Sequence, residues 1–134
     1  MHKLDLARNK TDSLIRNFDV ALMSNSKWVK LLDALSKLNL DSAVITVKLI
    51  WDTDIRSFKL HNNLEFGFGY YASSVESLIS GYPKGFYDYK EIEWVNIKTT
   101  TVNLGIIESN LSKVGKFCIS KSTDNIQIFA YKNT

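Results

Sequence analysis

One cysteine, one proline, two histidines and six glycines are all that these residue types contribute to the 134-residue chain. Each scarcity closes a route. A single cysteine, Cys118, forbids an intrachain disulfide and fits a reducing compartment. Its place between Phe117 and Ile119 in an apolar run reads as a buried, inert thiol. Two histidines, His2 and His61, one cysteine and no Cys-x-x-Cys or His-x-x-x-His spacing assemble no zinc site. With one internal histidine and no Gly-x-Ser-x-Gly, a serine or cysteine nucleophile has no evident base. No apolar run approaches the roughly 18 residues that span a bilayer. The opening Met1 to Arg8 is broken by charges and has no signal-peptide core, so the expected compartment is the cytoplasm.

What is present is globular. The hydrophobic fraction is 45% and the charged fraction 23%, ordinary values for a folded domain. The net charge is +3, and the excess lies in residues 1–64, with 10 basic and 7 acidic side chains against 7 and 7 in the remainder. No basic cluster accompanies it, which argues against nucleic acid as partner.

Apolar periodicity divides the chain. Leu14, Ile15, Phe18 and Leu22 recur at helical spacing, so residues 11–22 predict a helix capped by Thr11 or Asp12. Met23-Ser24-Asn25-Ser26 then reads as a second start, which makes 1–22 a helical extension and 23–134 the domain proper. Trp28, Leu31, Leu32, Leu35 and Leu38 form the stripe of a second helix, N-capped from Ser24 to Ser26. Ala43–Trp51 alternates as a strand, turns at Asp52-Thr53-Asp54 and returns through Ile55–Leu60. Glu65-Phe66-Gly67-Phe68-Gly69-Tyr70-Tyr71 reads as a bent or bulged strand, since it lacks the remaining elements of a phosphate loop. Ser73-Ser74-Val75-Glu76 has the form of a capping box for a short helix stopped by Gly81. Residues 87–97 predict a central strand. Ile107, Leu111 and Val114 mark a last helix ending at Gly115, and two strands, from Phe117 and from Ile126, close the chain. The fold class is α+β: an antiparallel sheet of about five strands with helices packed mainly on one face.

Two kinds of site are candidates. Glu91 and Glu93, at i and i+2 on a strand, would share a face about 6.6 Å apart, a spacing at which two carboxylates can divide acid and base roles. That gives a small enzyme as the alternative reading. The other candidate is a contact surface. Nine of the sixteen aromatic residues lie between Phe66 and Trp94. On one face of the predicted strand, Tyr87, Tyr89, Glu91 and Glu93 would lie opposite buried Ile92 and Trp94. Tyrosine combines large contact area with a polar tip, which suits a protein interface. The predicted contact residues are Tyr70, Tyr71, Tyr87, Asp88, Tyr89, Glu91 and Glu93. Stacking on single-stranded bases would require interleaved cations, and only Lys84 and Lys90 are available. After Trp94 the apolar parity switches to Val95 and Ile97, which predicts a bulge or a strand covered on both faces.

Three stretches together carry a resemblance: Ser26-Lys27-Trp28-Val29-Lys30-Leu31-Leu32-Asp33-Ala34-Leu35, then Tyr89-Lys90-Glu91-Ile92-Glu93-Trp94-Val95-Asn96-Ile97, then Val114-Gly115-Lys116-Phe117 with Ile126-Gln127-Ile128-Phe129-Ala130-Tyr131. Over residues 24–132 the chain resembles a group of small bacterial cytosolic proteins of unknown function that look like the immunity proteins of toxin–immunity pairs. The resemblance implies a non-enzymatic protein, without cofactor or metal, that binds and neutralises a cognate toxin. Inhibitors of nuclease toxins are often acidic, so a slightly basic chain implies an acidic or non-nuclease toxin, or a local acidic patch at Asp88, Glu91 and Glu93.

Overall fold

The computed structural model describes residues 3–38, 40, 42–60, 66 and 71–134. The reading of 65–71 as a bent strand therefore falls mostly outside the described residues, as do His2, His61 and Tyr70.

Residues 11–22 do not form the single helix that their periodicity predicts, and the N-terminal segment is built from shorter elements. It folds as α1 (Lys3–Arg8), α2 (Thr11–Ile15) and a two-residue strand, β1 (Val20–Ala21). Thr11 does not cap α2; its hydroxyl donates to the Arg8 carbonyl instead. The apolar residues beyond α2 are spent on docking: Phe18 packs on the Tyr131 ring at 5.5 Å. The extension is thereby tied to the rest of the chain.

α3 (Asn25–Ser36) starts where the cap residues place it, with Ser24 Oγ accepting from the Lys27 N–H. Trp28, Leu31, Leu32 and Leu35 are buried along one stripe. β2 (Val44–Leu49) and β3 (Ile55–Ser57) form the expected hairpin. The helix predicted after Ser73 is absent. That segment is β4 (Ser74–Glu76), paired antiparallel with β5 (Phe86–Asp88). Cross-strand pairing of Val75 with Tyr87 overrides the local capping pattern, and Gly81, at φ +89°, serves a turn rather than a helix stop.

The predicted strand 87–97 is broken. After β5 the chain makes one 3-10 turn over Tyr89–Glu91 and only then enters β6 (Ile92–Lys98). α4 (Thr101–Val114) is longer than its apolar pattern predicts, because Thr100 caps it by accepting from the Asn103 N–H. It ends at Gly115, as expected, but in extended backbone. There a Cβ would meet the Phe117 ring at 3.2 Å, and that contact is what favours glycine. β7 (Cys118–Lys121), β8 (Asn125–Phe129) and β9 (Tyr131–Lys132) complete the chain, with β1 paired to β9.

The main sheet is antiparallel with order β3-β2-β6-β8-β7. Its register assigns the two faces. Residues directly opposite in an antiparallel ladder share a face. Ile45, Ile97 and Ile126 form one buried row, and Val47, Val95 and Ile128 the next. α3 and α4 pack against each other, α4 against β8, and their apolar stripes join these rows in one core. This is the α+β arrangement expected, with a five-stranded sheet and the two long helices on one face. No helix among the described residues is long and apolar enough to cross a membrane.

Candidate functional site

The segment from Tyr87 to Glu93 does not present one aromatic, acidic face. Tyr87 is 1% exposed, Tyr89 0% and Glu91 2%. Through β5 and the 3-10 turn that follows it, positions 87, 89 and 91 face inward, where each side chain finds a partner. The Tyr87 hydroxyl donates to the Pro83 carbonyl and accepts from Arg56 Nη1 at 2.8 Å. Tyr89 stacks on Trp28 at 6.1 Å and donates to the Tyr71 carbonyl at 2.6 Å. Burial raises the pKa of both phenols; for Tyr87 the Arg56 cation opposes the shift without cancelling it. Tyr71 is half-buried against Phe66, with ring centroids 5.0 Å apart. Asp88 alone of the described set is fully at the surface.

The carboxylate pair is separated as well. Glu91 accepts from Arg8 Nε and Nη2, from Trp51 Nε1 at 3.0 Å and from the Asp88 N–H at 2.7 Å. Four donors on two oxygens compensate its burial, which would otherwise be costly. Glu93 stands elsewhere, bonded to Lys48 Nζ at 2.9 Å. The proposed division of acid and base roles therefore lacks its geometry: Glu91 is a structural anchor for α1, and Glu93 half of a surface ion pair. Above Glu91, Arg8, Asn9, Thr11, Asp12 and Lys90 rim a polar depression of about 250 Å³. The Lys90–Asp12 ion pair, 3.0 Å, lies at its edge.

A second arginine, this one buried, organises the neighbouring loop. Arg56 donates to Asp52 Oδ2 at 2.7 Å, to the Ser80 and Tyr82 carbonyls, and to Tyr87, and lies 5.1 Å from the Trp51 ring centroid. Burial pushes the Asp52 carboxyl up, but the Asp54 N–H and the Arg56 donor and charge outweigh it and hold the group below the usual carboxylate range. Trp51 and Tyr87 lie between the two arginines, since Arg8 also lies 4.8 Å over the Tyr87 ring.

The surface with the most unusual chemistry is the opposite face of the main sheet. Every residue placed on it is half-buried or exposed. Its rows run Ile55–Lys48–Trp94–Phe129–Cys118 and Ser57–Thr46–Asn96–Gln127–Ser120, with Val44 and Lys98 beyond. Trp94 reaches it because the ladder slips: Lys48 pairs with Trp94 but Leu49 with Ile92, leaving Glu93 as the extra residue of a bulge. The predicted parity switch is therefore real and lies one residue earlier. It takes Trp94 off the buried face to which strict alternation assigned it. Trp94 and Phe129 are cross-strand neighbours, both half-buried, and Ile55 and Val44 are 62% and 59% exposed. Cys118 is half-buried on the same face, not enclosed in the core. Asn96 Nδ2 donates to Gln127 Oε1 at 3.0 Å across the strands, which holds the amide row in place. Charge on this face nearly cancels: Lys48 faces Glu93, and Lys98 lies 3.9 Å from Asp124.

Sequence reasoning missed Trp94 and Phe129 as surface residues. The available signal was in β2 and β8, where Thr46, Lys48 and Gln127 alternate with buried aliphatics and so mark the outward positions that Trp94 and Phe129 share.

Compared with family models, with curated proteins and with solved structures, the chain finds no match in any of the three.

Proposed function

We propose that the protein works by binding another protein, as a toxin-neutralising inhibitor of the immunity type, and that its contact surface is this partly exposed face of the main sheet. One observation carries the choice of surface: Trp94 and Phe129 lie side by side, partly exposed, between exposed Ile55 and the amide row of Asn96 and Gln127. Aromatic anchors ringed by polar groups are the composition of an interface core. Base stacking would use the same rings, but the nearby cations Lys48 and Lys98 face carboxylates, which favours a protein over a polyanion. The contact set of the strand reading is revised accordingly. Asp88, Tyr71 and Glu93 keep some exposure, whereas Tyr87, Tyr89 and Glu91 are inside.

The test is co-expression with the toxin encoded beside this gene. Rescue of growth by the wild-type chain supports the reading. Lack of an adjacent toxin, or lack of rescue, removes it.

A further inference from the structure

We propose that the free edge of β7, with the groove between it and α4, takes an extended acidic segment of a partner protein by strand addition. The inference is independent of the sheet-face reading above.

β7 is the last strand of the sheet and, among the described residues, pairs only with β8. Its hairpin closes with the Ser122 N–H on the Asn125 carbonyl. Hydrogen-bonded pairs alternate from that point, so Ser120 and Cys118 face β8 while the N–H and C=O groups of Ile119 and Lys121 point outward. Those outward groups meet no partner among the described residues. Beside them is a groove of about 300 Å³ whose apolar lining is Leu111, Phe117 and Ile119, opened by the absence of a side chain at Gly115. A strand edge offering backbone pairing beside an apolar groove under a helix is the requirement for recognising an extended peptide.

Charge selects the occupant. Lys116 lines the groove, Lys27 Nζ lies 5.8 Å from the centroid of the Phe117 ring at its edge, and Lys121 pairs with its single carboxylate, Glu108. Lys116 is exposed and forms no ion pair among the described residues, and the Lys121–Glu108 pair at 3.3 Å is itself half-exposed and weak. The basic surface continues over α4 to a second groove bordered by Lys30 and Lys37. A segment with apolar side chains at alternate positions and flanking carboxylates complements both features. A second copy of this chain does not, because its β7 edge carries the same basic surroundings and no flanking carboxylates of its own.

The test uses a dye-labelled peptide of alternating valine and threonine flanked by glutamates, followed by fluorescence anisotropy and by amide exchange of the protein. Expected are saturable binding, a loss of about tenfold in affinity between low salt and about 0.3 M salt, and new protection of the Ile119 and Lys121 amides. The same peptide N-methylated at alternate amides should bind at least about tenfold more weakly, roughly the worth of one or two hydrogen bonds. Lys116→Glu with Lys121→Glu, both at exposed positions, should lose the acidic peptide and gain one flanked by lysines. Trp94→Ser with Phe129→Ser should leave peptide binding unchanged, which separates this site from the sheet face. The proposal is overturned by equal binding of the N-methylated peptide, by equal binding of the lysine-flanked peptide to the wild type, or by no binding at all. A dimer in sedimentation with Ile119 and Lys121 already protected would overturn it too, by assigning the edge to a second copy.

Discussion

Replacing Arg56 by methionine tests the buried network most sharply. The guanidinium is 7% exposed and Asp52 9%. Methionine keeps most of the side-chain volume but removes the cation, so Asp52 is left with backbone donors and no counter-charge. Breaking one side of a buried ion pair costs about 3–5 kcal/mol. The Ser80 and Tyr82 carbonyls and the Tyr87 hydroxyl lose donors as well, though water can reach the loop carbonyls and offset part of that. A net loss of about 4 kcal/mol is a large share of the roughly 5–15 kcal/mol available to a domain of this kind. Urea unfolding at neutral pH measures it. The pH dependence supplies an internal check. Asp52 has a depressed pKa in the folded protein. Its contribution is complete above the unfolded value of about 4 and is lost as the pH falls through the folded value. The variant has little of this contribution to lose, so the gap between wild type and variant should narrow on acidification. Asp52→Asn with Arg56→Met should cost less than the sum of the two single changes. A loss under about 1 kcal/mol, the size of one ordinary hydrogen bond, or a gap that stays constant into acid, would refute the reasoning.

Glu91→Gln should cost about 2 kcal/mol by removing the charge that holds Arg8, and amide exchange within α1 should rise; unchanged exchange there would separate α1 docking from Glu91. Alkaline pH should unfold the protein early. Tyr131 is pushed up to about 12 by burial, and Tyr87 and Tyr89 are raised as well. With folded values above the unfolded value, their contribution is whole below about pH 10 and falls by about 1.4 kcal/mol per pH unit per tyrosine above it. Urea midpoints and tyrosinate absorbance read this out, and tyrosinate forming at ordinary pH in the folded protein would contradict it. Ser24→Ala should cost about 1 kcal/mol through the lost α3 cap, measured by the same unfolding assay.

Elements with one dominant signal were legible in the sequence. α3 has a stripe and a cap, the β2–β3 and β7–β8 hairpins have alternation and turns, and the α+β class followed from them. Legibility failed where local signals competed with pairing at a distance. Ser74–Glu76 carries a capping pattern, yet its partner in β5 decides its state. α4 was shortened because Val102 and Gly105 are weak helix formers, so only Ile107 to Val114 stood out. The site was misread for a related reason. Strand alternation assumes an unbroken strand, and residues 87–97 contain a 3-10 turn and a bulge. Tyr89 and Glu91 stay on the inward side that Tyr87 takes in β5, and the bulge brought Trp94 out. The parity switch at Val95 announced the bulge, but nothing local told which aromatic would surface. Arg8 and Arg56, the partners of Glu91 and Asp52, were invisible as such, since long-range ion pairs leave no periodic mark.

The claim at the centre is that the partly exposed sheet face makes the contact. Trp94→Ser with Phe129→Ser leaves the buried rows and both ion-pair networks in place, so its urea midpoint should fall by the loss of two half-buried rings while the protein stays folded. In co-expression with the neighbouring toxin, growth should be rescued by the wild type and lost with this double variant at equal levels of folded protein. Rescue undiminished by the double variant would contradict the account.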